Sequence, residues 1–250
     1  MTNIYVKENQ INEKQFILDL KLALEYDLEQ ERIFNYGKLS NDEKIAHISK
    51  FVANLWQIHA FPEGNTRTTA VFTIQYLRSL GFNVNNDVFA KHSWYFRNAL
   101  VRYIYKNQNG IQPEPKFLER FFRNLLLGEK WVLKNRYLVI NPPKEYLHQP
   151  RLDNPTSTQQ VPNKYPTSTT QILTENTNIV KLVKILGVEK YSIKQIMELM
   201  KIKDRPNFLK VYLNPAILEG YITKLYPNSP RHPRQKYLLT IKGQMLLNSY

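Results

Sequence analysis

The residues HAFPEGNTR at positions 59–67 gather the side chains that phosphate chemistry uses. His59 carries an imidazole, which can take a proton from an incoming hydroxyl. Glu63 carries a carboxylate of the kind that holds Mg²⁺, and Mg²⁺ would bridge phosphate oxygens. Arg67 can bind the same anion through its forked guanidinium. The spacing predicts a site for phosphate transfer.

The Gly64-Asn65 pair stands where a new helical pattern begins, after Pro62 has broken the preceding one. The first turn of a helix presents unpaired N–H groups and a positive dipole end, which together favour an anion. A cation in that turn is normally disfavoured, so the position of Arg67 indicates a bound phosphate. Each residue taken alone is usually structural: a histidine cap, a turn, an arginine paired with an acid. Their combination at this spacing favours function.

Apolar residues repeat at helical spacing on both sides of this stretch. The third helix, from about Thr66 to Gly81, is apolar nearly all round, which predicts a place in the middle of the bundle. The residues SNDE at 40–43 fit a capping box before the second helix. The predicted helices cover residues 12–31, 42–59, 66–80, 87–106 and 115–127.

A change of composition divides the chain into three parts. Residues 1–136 are predicted to be an almost entirely helical domain. Residues 137–171 are rich in Pro, Ser, Thr, Asn and Gln without any period, as in a flexible linker. Residues 172–250 show three helical patterns, a strand, a turn-rich loop, a second strand and a closing helix. The fold class is therefore mainly α, a helical bundle followed by a winged helix-turn-helix domain.

The formal net charge is +14, and it is concentrated near the C-terminus. Residues 180–250 hold 13 Lys and Arg against 4 Asp and Glu. Such a balance favours an anionic partner such as nucleic acid, although a solvated basic face gives the same composition. Both explanations stay open from the charge alone.

The chain has no cysteine, which excludes disulfides and thiolate metal sites. No apolar run approaches the length of a membrane span, and the first ten residues lack the apolar core of a signal peptide. We therefore expect a cytoplasmic protein without a membrane partner.

The nine-residue stretch is similar to the signature of Fic domains, His-x-Phe-x-(Asp/Glu)-Gly-Asn-x-Arg. The flanking segments FVANLWQI and TTAVFTIQYLRSLGF also resemble Fic domains, as do WYFRNALVR from Trp94 and FLERFFRNLLLGEK from Phe117. The likeness covers roughly residues 12–136.

This resemblance implies the transfer of a nucleoside monophosphate, most often AMP from ATP, onto a Ser, Thr or Tyr hydroxyl of a target protein. It makes His59 the catalytic base and Glu63 the ligand of Mg²⁺, with ATP as substrate. It also implies that Phe61 anchors the loop in the core and that Arg67 neutralises the leaving pyrophosphate. The expected nucleotide-binding residues are Phe61, Gly64, Asn65, Thr66 and Arg67.

Three features depart from the family pattern. Ala70 stands where many members have a second arginine for the terminal phosphate. The inhibitory Ser/Thr-x-x-x-Glu-Gly/Asn motif is missing, because Gln171 lies four residues before Glu175-Asn176. A separate inhibitory protein is therefore a candidate partner. Only 58 residues precede His59, which predicts a truncated N-terminal part, with residues 3–6 as the candidate target-aligning flap.

Residues 204–222 resemble the recognition helix of the winged-helix module found behind many Fic domains, with a kink or break expected at Pro215. Residues 226–240 would be the wing. On this reading DNA is a candidate partner, and the alternative is that the module binds protein or docks on the Fic domain. The residues expected at DNA are Arg205, Asn207 and Lys210 in the major groove, and Arg231, Arg234 and Lys236 at phosphates.

Two functional hypotheses follow from the sequence. The first is a protein adenylyltransferase, or AMPylator. The second is a DNA-binding regulator whose Fic domain is catalytically weak or inactive. The complete site favours the first hypothesis, whereas the short N-terminal part and the basic C-terminal domain favour the second.

Overall fold

The structure is a computed structural model that describes residues 5–108, 110–152 and 173–250, with side chains described from residue 18 onward. It is mainly helical, with one two-stranded antiparallel sheet, which confirms the predicted fold class. No helix in the described ranges combines the length and the apolarity that crossing a bilayer requires.

The first part of the chain is a helical bundle, and its predicted helices are all present. The predicted fourth helix is interrupted at His92, whose backbone leaves the helical region. Asn3 and Ile4 of the candidate flap lie outside the described residues, whereas Tyr5 and Val6 belong to the first helix. The helices are α1 (Tyr5–Ile33), α2 (Asn41–Gln57), α3 (Asn65–Ser79), α4 (Asp87–Lys91), α5 (Ser93–Ile104) and α6 (Lys116–Phe122), which continues as a π-helical turn (Arg123–Leu127).

The central helix of this bundle is α2 rather than α3. Ile45, Ile48 and Val52 on α2 are completely buried, and α2 packs against α3, α5 and α6. The prediction for α3 is wrong because one side of it, including Val71 at 59% exposure, faces solvent. Thr68 and Gln75 are exposed on that side too, whereas Thr73 is buried, so hydrophobicity alone does not identify the buried side of α3. The predicted capping box of α2 is confirmed, since Ser40 and Glu43 each bond the other's backbone N–H.

A buried carboxylate joins the end of α1 to α2 and α3. Glu31, whose side chain is 8% exposed, lies 2.6 Å from Nε2 of His47 on α2. The hydroxyls of Tyr36 and of Tyr76 on α3 both donate to its Oε1. Burial raises the pKa of Glu31, but the hydrogen bonds from His47, Tyr36 and Tyr76 outweigh this effect and hold that pKa below its ordinary value.

Part of the segment that the sequence assigns to the linker packs on the bundle. Tyr137 and Leu138 join the hydrophobic core of the bundle (the first core), and Gln149 is buried. Residues 131 and 151 pair across an antiparallel bridge that brings the segment back on itself. Residues 153–172 of the predicted linker lie outside the described residues. The division of the chain into domains stays a prediction.

The C-terminal part follows the predicted order of three helical segments, a β-hairpin and a closing helix. A kink or break was expected at Pro215, and a π-helical turn ends two residues before it. Proline lacks an N–H and crowds the preceding helical turn, and the wider π-helical turn accommodates it. The strands pair in antiparallel register, with Thr223 opposite Leu238. The elements are α7 (Thr177–Leu186), α8 (Ile193–Leu199), α9 (Arg205–Phe208), the π-helical turn (Leu209–Leu213), α10 (Asn214–Leu218), β1 (Ile222–Lys224), β2 (Tyr237–Leu239) and α11 (Ile241–Leu247).

The closing helix α11 packs on the bundle. Met245 is completely buried and belongs to the first core, with Ile241 packed beside it. The N–H of Lys242 donates to the carbonyl oxygen of Leu80 at 3.0 Å, and the Asn41 side chain donates to the carbonyl oxygen of Met245 at 3.1 Å. The C-terminal part is thus attached to the bundle by buried apolar contact and by bonds to backbone.

Two glycines meet at this junction, where the backbones of both parts come together. Gly81 follows α3 with φ +98°, and Gly220 follows α10 with φ +79°. A Cβ atom on Gly81 would collide with the carbonyl oxygen of Gly220 and with the Thr240 side chain, and a Cβ atom on Gly220 would collide with the carbonyl oxygen of Gly81. Only glycine therefore fits at either position.

We expect Gly81→Ala to lower the free energy of unfolding by about 2–4 kcal/mol, because it adds a backbone collision to an unfavourable left-handed conformation. Urea unfolding of the full chain measures this loss. Gly110→Ala is the matched control, since Gly110 also has a positive φ, +85°, but has no atom near its Cβ position. An equal loss in the two variants would show that the junction contact contributes nothing.

A second prediction concerns Glu31. Its pKa is lowered in the folded state, so the stability that its ionised form contributes is present above the ordinary glutamate pKa and is lost as the pH falls through the lowered value. Glu31→Gln should cost about 1–3 kcal/mol at pH 7 and progressively less toward pH 3. Urea unfolding across this pH range tests it, with exposed Glu25 on the same helix, changed to Gln, as control. A pH-independent cost for Glu31→Gln would contradict the assignment.

Candidate active site

The predicted phosphate-binding stretch forms the connection between α2 and α3. The last bonds of α2 run from the N–H groups of Ile58 and His59 to the carbonyls of Asn54 and Trp56. His59 then adopts φ +51°, the left-handed conformation, which turns the chain out of the helix. Gly64, with φ +78°, is the residue before α3 and turns the chain into it. The loop is thus bounded by one left-handed residue at each end.

His59 is exposed, and its imidazole is available for chemistry. Its ring lies edge-on against the indole of Trp56, with 5.0 Å between ring centroids and 69° between ring planes. Within the described part of the chain, neither ring nitrogen has a hydrogen-bond partner. The imidazole is therefore free to accept a proton from a hydroxyl brought to the loop.

Asn65 shapes the loop through its side chain. Its Oδ1 accepts a hydrogen bond from the N–H of Phe61 at 3.0 Å, and its Nδ2 donates to the carbonyl of Phe61 at 2.5 Å. An amide matches both backbone groups in this way, whereas a carboxylate could only accept. The group that Asn65 leaves for a phosphate is its backbone N–H.

The start of α3 presents free backbone donors. The first helical bond runs from the N–H of Thr68 to the carbonyl of Gly64 at 2.9 Å, and no side chain in the described ranges caps the helix. The N–H groups of the first three residues, 65–67, consequently have no acceptor in the helix. Together with the helix dipole they suit an anion such as a phosphate.

Arg67 lies over Gly64 at the same helix end. A Cβ atom on Gly64 would lie 3.6 Å from Nη2 of Arg67 and 3.9 Å from its Nε, so the glycine leaves room beside the guanidinium. Arg67 is exposed and forms no ion pair within the described residues. Its charge is therefore available to an incoming anion.

Glu63 fits the role of a Mg²⁺ ligand by the chemistry of its donor. It is exposed and has no ion-pair partner in the described ranges. Those ranges contain no group of three or more side chains suited to a metal ion. Mg²⁺ at nucleotide sites commonly takes one or two carboxylates and completes its shell with phosphate oxygens and water, so a single carboxylate is compatible with it.

Phe61 does not anchor the loop by burial, contrary to expectation. Its side chain is 49% exposed and belongs to neither core. The loop is held instead by the Asn65 side chain and by Trp56, whose Nε1–H donates to Oγ1 of Thr66 at 3.0 Å. The sequence offers one signal for Trp56, a large aromatic residue three positions before His59, but its spacing fits the apolar face of α2 equally well.

The loop lies on an open surface. Two clefts in the described part of the chain, of about 460 and 510 Å³, are lined by residues 37–42 with Asn248 and by residues between 193 and 205. Neither includes the loop. Ala70, which stands in place of a second arginine, packs against the first core.

The residues expected at DNA are all exposed on the C-terminal part. Asp204 caps α9 by accepting from the N–H of Asn207. Burial raises the pKa of Tyr237 on β2, and the positive charge of Arg205 opposes that effect, which places Arg205 near the hairpin. Arg205, Asn207 and Lys210 lie on the helical segment, and Arg231, Arg234 and Lys236 lie on the connection between β1 and β2.

The connection between β1 and β2 is held by contacts among its own residues. The Gln235 side chain accepts from the N–H of Tyr226 and donates to its carbonyl, both at 2.9 Å. The ring centroids of Tyr226 and His232 are 3.9 Å apart. These contacts hold the connection in a defined shape with its basic side chains outward.

Comparisons with known proteins agree with the sequence motif. A family model described as "Fic/DOC family" matches residues 7–77, and one described as "Filamentation induced by cAMP protein Fic-like, C-terminal domain" matches residues 177–240. No protein of curated function matches the chain. A crystal structure of a Fic family protein from Desulfovibrio desulfuricans G20 is 18% identical, with a TM-score of 0.30. That match covers 90% of this chain and 56% of the other, so the chain spans about half the length of that protein. The two family matches show that this chain carries a Fic/DOC family domain followed by a Fic-like C-terminal domain.

Proposed function

We propose that this chain is a protein adenylyltransferase that transfers AMP from ATP to a Ser, Thr or Tyr hydroxyl of a target protein. Fic domains usually transfer a nucleoside monophosphate to proteins. The observation that carries the proposal is the loop itself, where an imidazole, a carboxylate and a helix start lie within nine residues, each without a side-chain hydrogen-bond partner among the described residues.

In this reaction His59 takes the proton from the target hydroxyl. The hydroxyl oxygen then attacks the α-phosphorus of ATP, the bond from that phosphorus to the bridging oxygen breaks, and pyrophosphate leaves. The exposed, unpaired imidazole of His59 supports this role, because a base must be able to reach a hydroxyl carried on another protein.

The anion-binding groups act on the phosphates. The free N–H groups of residues 65–67 hold phosphate oxygens, and Arg67 neutralises the charge that develops on the leaving pyrophosphate. Glu63 would hold Mg²⁺, which supplies further neutralisation of phosphate charge when bound. Asn65 and Thr66 contribute through their backbone N–H groups, since their side chains are engaged with Phe61 and Trp56.

A separate protein is the candidate inhibitor, because the arginine and the motif of the usual intramolecular lock are replaced at Ala70 and Gln171. No membrane partner is proposed, and a cytoplasmic location stays a prediction from the sequence.

A second candidate function is DNA binding by the C-terminal part as a winged helix, with a Fic domain of weak or absent activity. The observation that favours it is the exposure of Arg205, Arg231, Arg234 and their basic neighbours on one structural unit. The alternative, that this charge serves to dock the unit on the bundle, is less well supported. The described hydrogen bonds between this unit and the bundle involve α11 and the residues after it, and none involves these basic side chains.

We expect His59→Ala to lower the rate of AMP transfer by about 10²–10⁴-fold, the usual contribution of a general base. The measurement is radiolabel incorporated into the protein itself from α-³²P-ATP with Mg²⁺, and calorimetry with ATP should show unchanged nucleotide binding. His148→Ala is the control for an exposed histidine outside the loop. Labelling of His59→Ala at the wild-type rate would exclude the mechanism, and no labelling of the wild type would favour the second candidate function.

For the second candidate, the logarithm of DNA affinity of the full chain should fall with the logarithm of salt concentration by about 0.9 per phosphate contact. Replacing Arg231 and Arg234 by alanine should flatten that slope by about two units and weaken all sequences alike. Asn207→Ala should matter only for a preferred sequence, because an amide reads base edges. Titration of duplex DNA at several salt concentrations measures this. Absence of binding at low salt would count against DNA as a partner.

A further inference from the structure

Trp56 connects the two helices on either side of the active-site loop. It lies in the last turn of α2, half-buried against the first core. Its Nε1–H donates to Oγ1 of Thr66 in the first turn of α3, and its ring contacts the imidazole of His59 edge-on. One side chain thus touches the proposed base and also fixes the start of the helix that presents the anion-binding groups.

His59 has few other constraints on its ring. Its backbone is in the left-handed conformation, its side chain is exposed, and no hydrogen bond within the described residues orients either ring nitrogen. General bases are commonly oriented by a third group that bonds the second nitrogen of the imidazole. Here the contact with Trp56 is what limits the directions in which the ring can point.

Thr66 in turn limits the position of the indole. Tryptophan can donate only through Nε1–H, and a half-buried indole prefers an arrangement in which that donor is satisfied. The hydroxyl of Thr66 supplies the acceptor from the far side of the loop. The indole is therefore held between the core, which packs its apolar surface, and the start of α3, which accepts its proton.

We propose that Trp56 is the positioning residue for His59 and that the Thr66 hydroxyl holds Trp56 in place. The catalytic consequence rests on the proposed adenylyl transfer, whereas the ordering of the His59 ring does not. Because the phosphate-binding groups are backbone N–H groups and Arg67, loss of the contact should affect proton transfer more than nucleotide binding.

Four variants of the full chain separate the contacts. Trp56→Leu removes both of them, Trp56→Phe keeps a ring beside His59 but loses the donor, and Thr66→Val removes the acceptor while keeping the shape. Trp131→Phe is the matched control, because Trp131 is also half-buried and gives its Nε1–H to Glu129 at 2.6 Å, outside the loop.

The first readout needs no activity. Relaxation of the His59 ring carbon signals in a ¹³C-histidine-labelled chain measures how ordered the ring is. We expect increased ring motion in Trp56→Leu, a smaller increase in Trp56→Phe and Thr66→Val, and none in Trp131→Phe. A His59 ring as ordered in Trp56→Leu as in the wild type would overturn the proposal.

The second readout is the rate of label transfer at varied ATP concentration. We expect kcat to fall roughly 10²-fold in Trp56→Leu, the typical cost of a misplaced reacting group. It should fall roughly 3–10-fold in Trp56→Phe and Thr66→Val, as for one lost hydrogen bond, with KM for ATP unchanged. An equal fall in Trp131→Phe, or a change in KM alone, would overturn the proposal. Increased ring motion in the variants without any transfer by the wild type would support the positioning role and refute adenylyl transfer.

Discussion

The two hydrogen bonds between the Asn65 side chain and the backbone of Phe61 are the constraint on which the loop depends. A loop whose side chains are mostly exposed gains little from burial, and ordering it costs conformational entropy. The Phe61 ring, nearly half exposed, does not offset that cost. The Asn65 amide offsets it instead, because it bonds both the N–H and the carbonyl of Phe61. Asn65 is also the first residue of α3. The conformation of the loop is therefore fixed relative to the start of α3.

The fold was largely predictable where local pattern decides structure. Helical spacing located the helices of the bundle, the capping box at Ser40 marked the start of α2, and the irregularity near Pro215 followed from the chemistry of proline. The wrong prediction for α3 has a simple origin. Counting its apolar residues did not show that Val71 shares a side of the helix with polar ones, and only the packing against α2 decides which side is buried.

The site was predictable as a set of residue types but not as a set of contacts. The motif placed a base, a carboxylate and a guanidinium in one loop, yet burial of Phe61 and the part taken by Trp56 depend on tertiary packing. Gly81 and Gly220 illustrate the same limit, because each follows a helical segment and nothing in the local sequence indicates that the two meet. Contacts between residues far apart in sequence produce no periodic pattern of apolar residues from which they could be predicted.

The position of Met245 has a consequence for how the chain unfolds. This residue belongs to α11, the last helix of the C-terminal part, yet it is completely buried in the core of the helical bundle. Local opening of α11 would hydrate that core as well, so amide hydrogen exchange in α11 and in the adjoining bundle should report one cooperative opening rather than two. A fragment that ended before residue 173 would leave a water-accessible gap in its own hydrophobic interior.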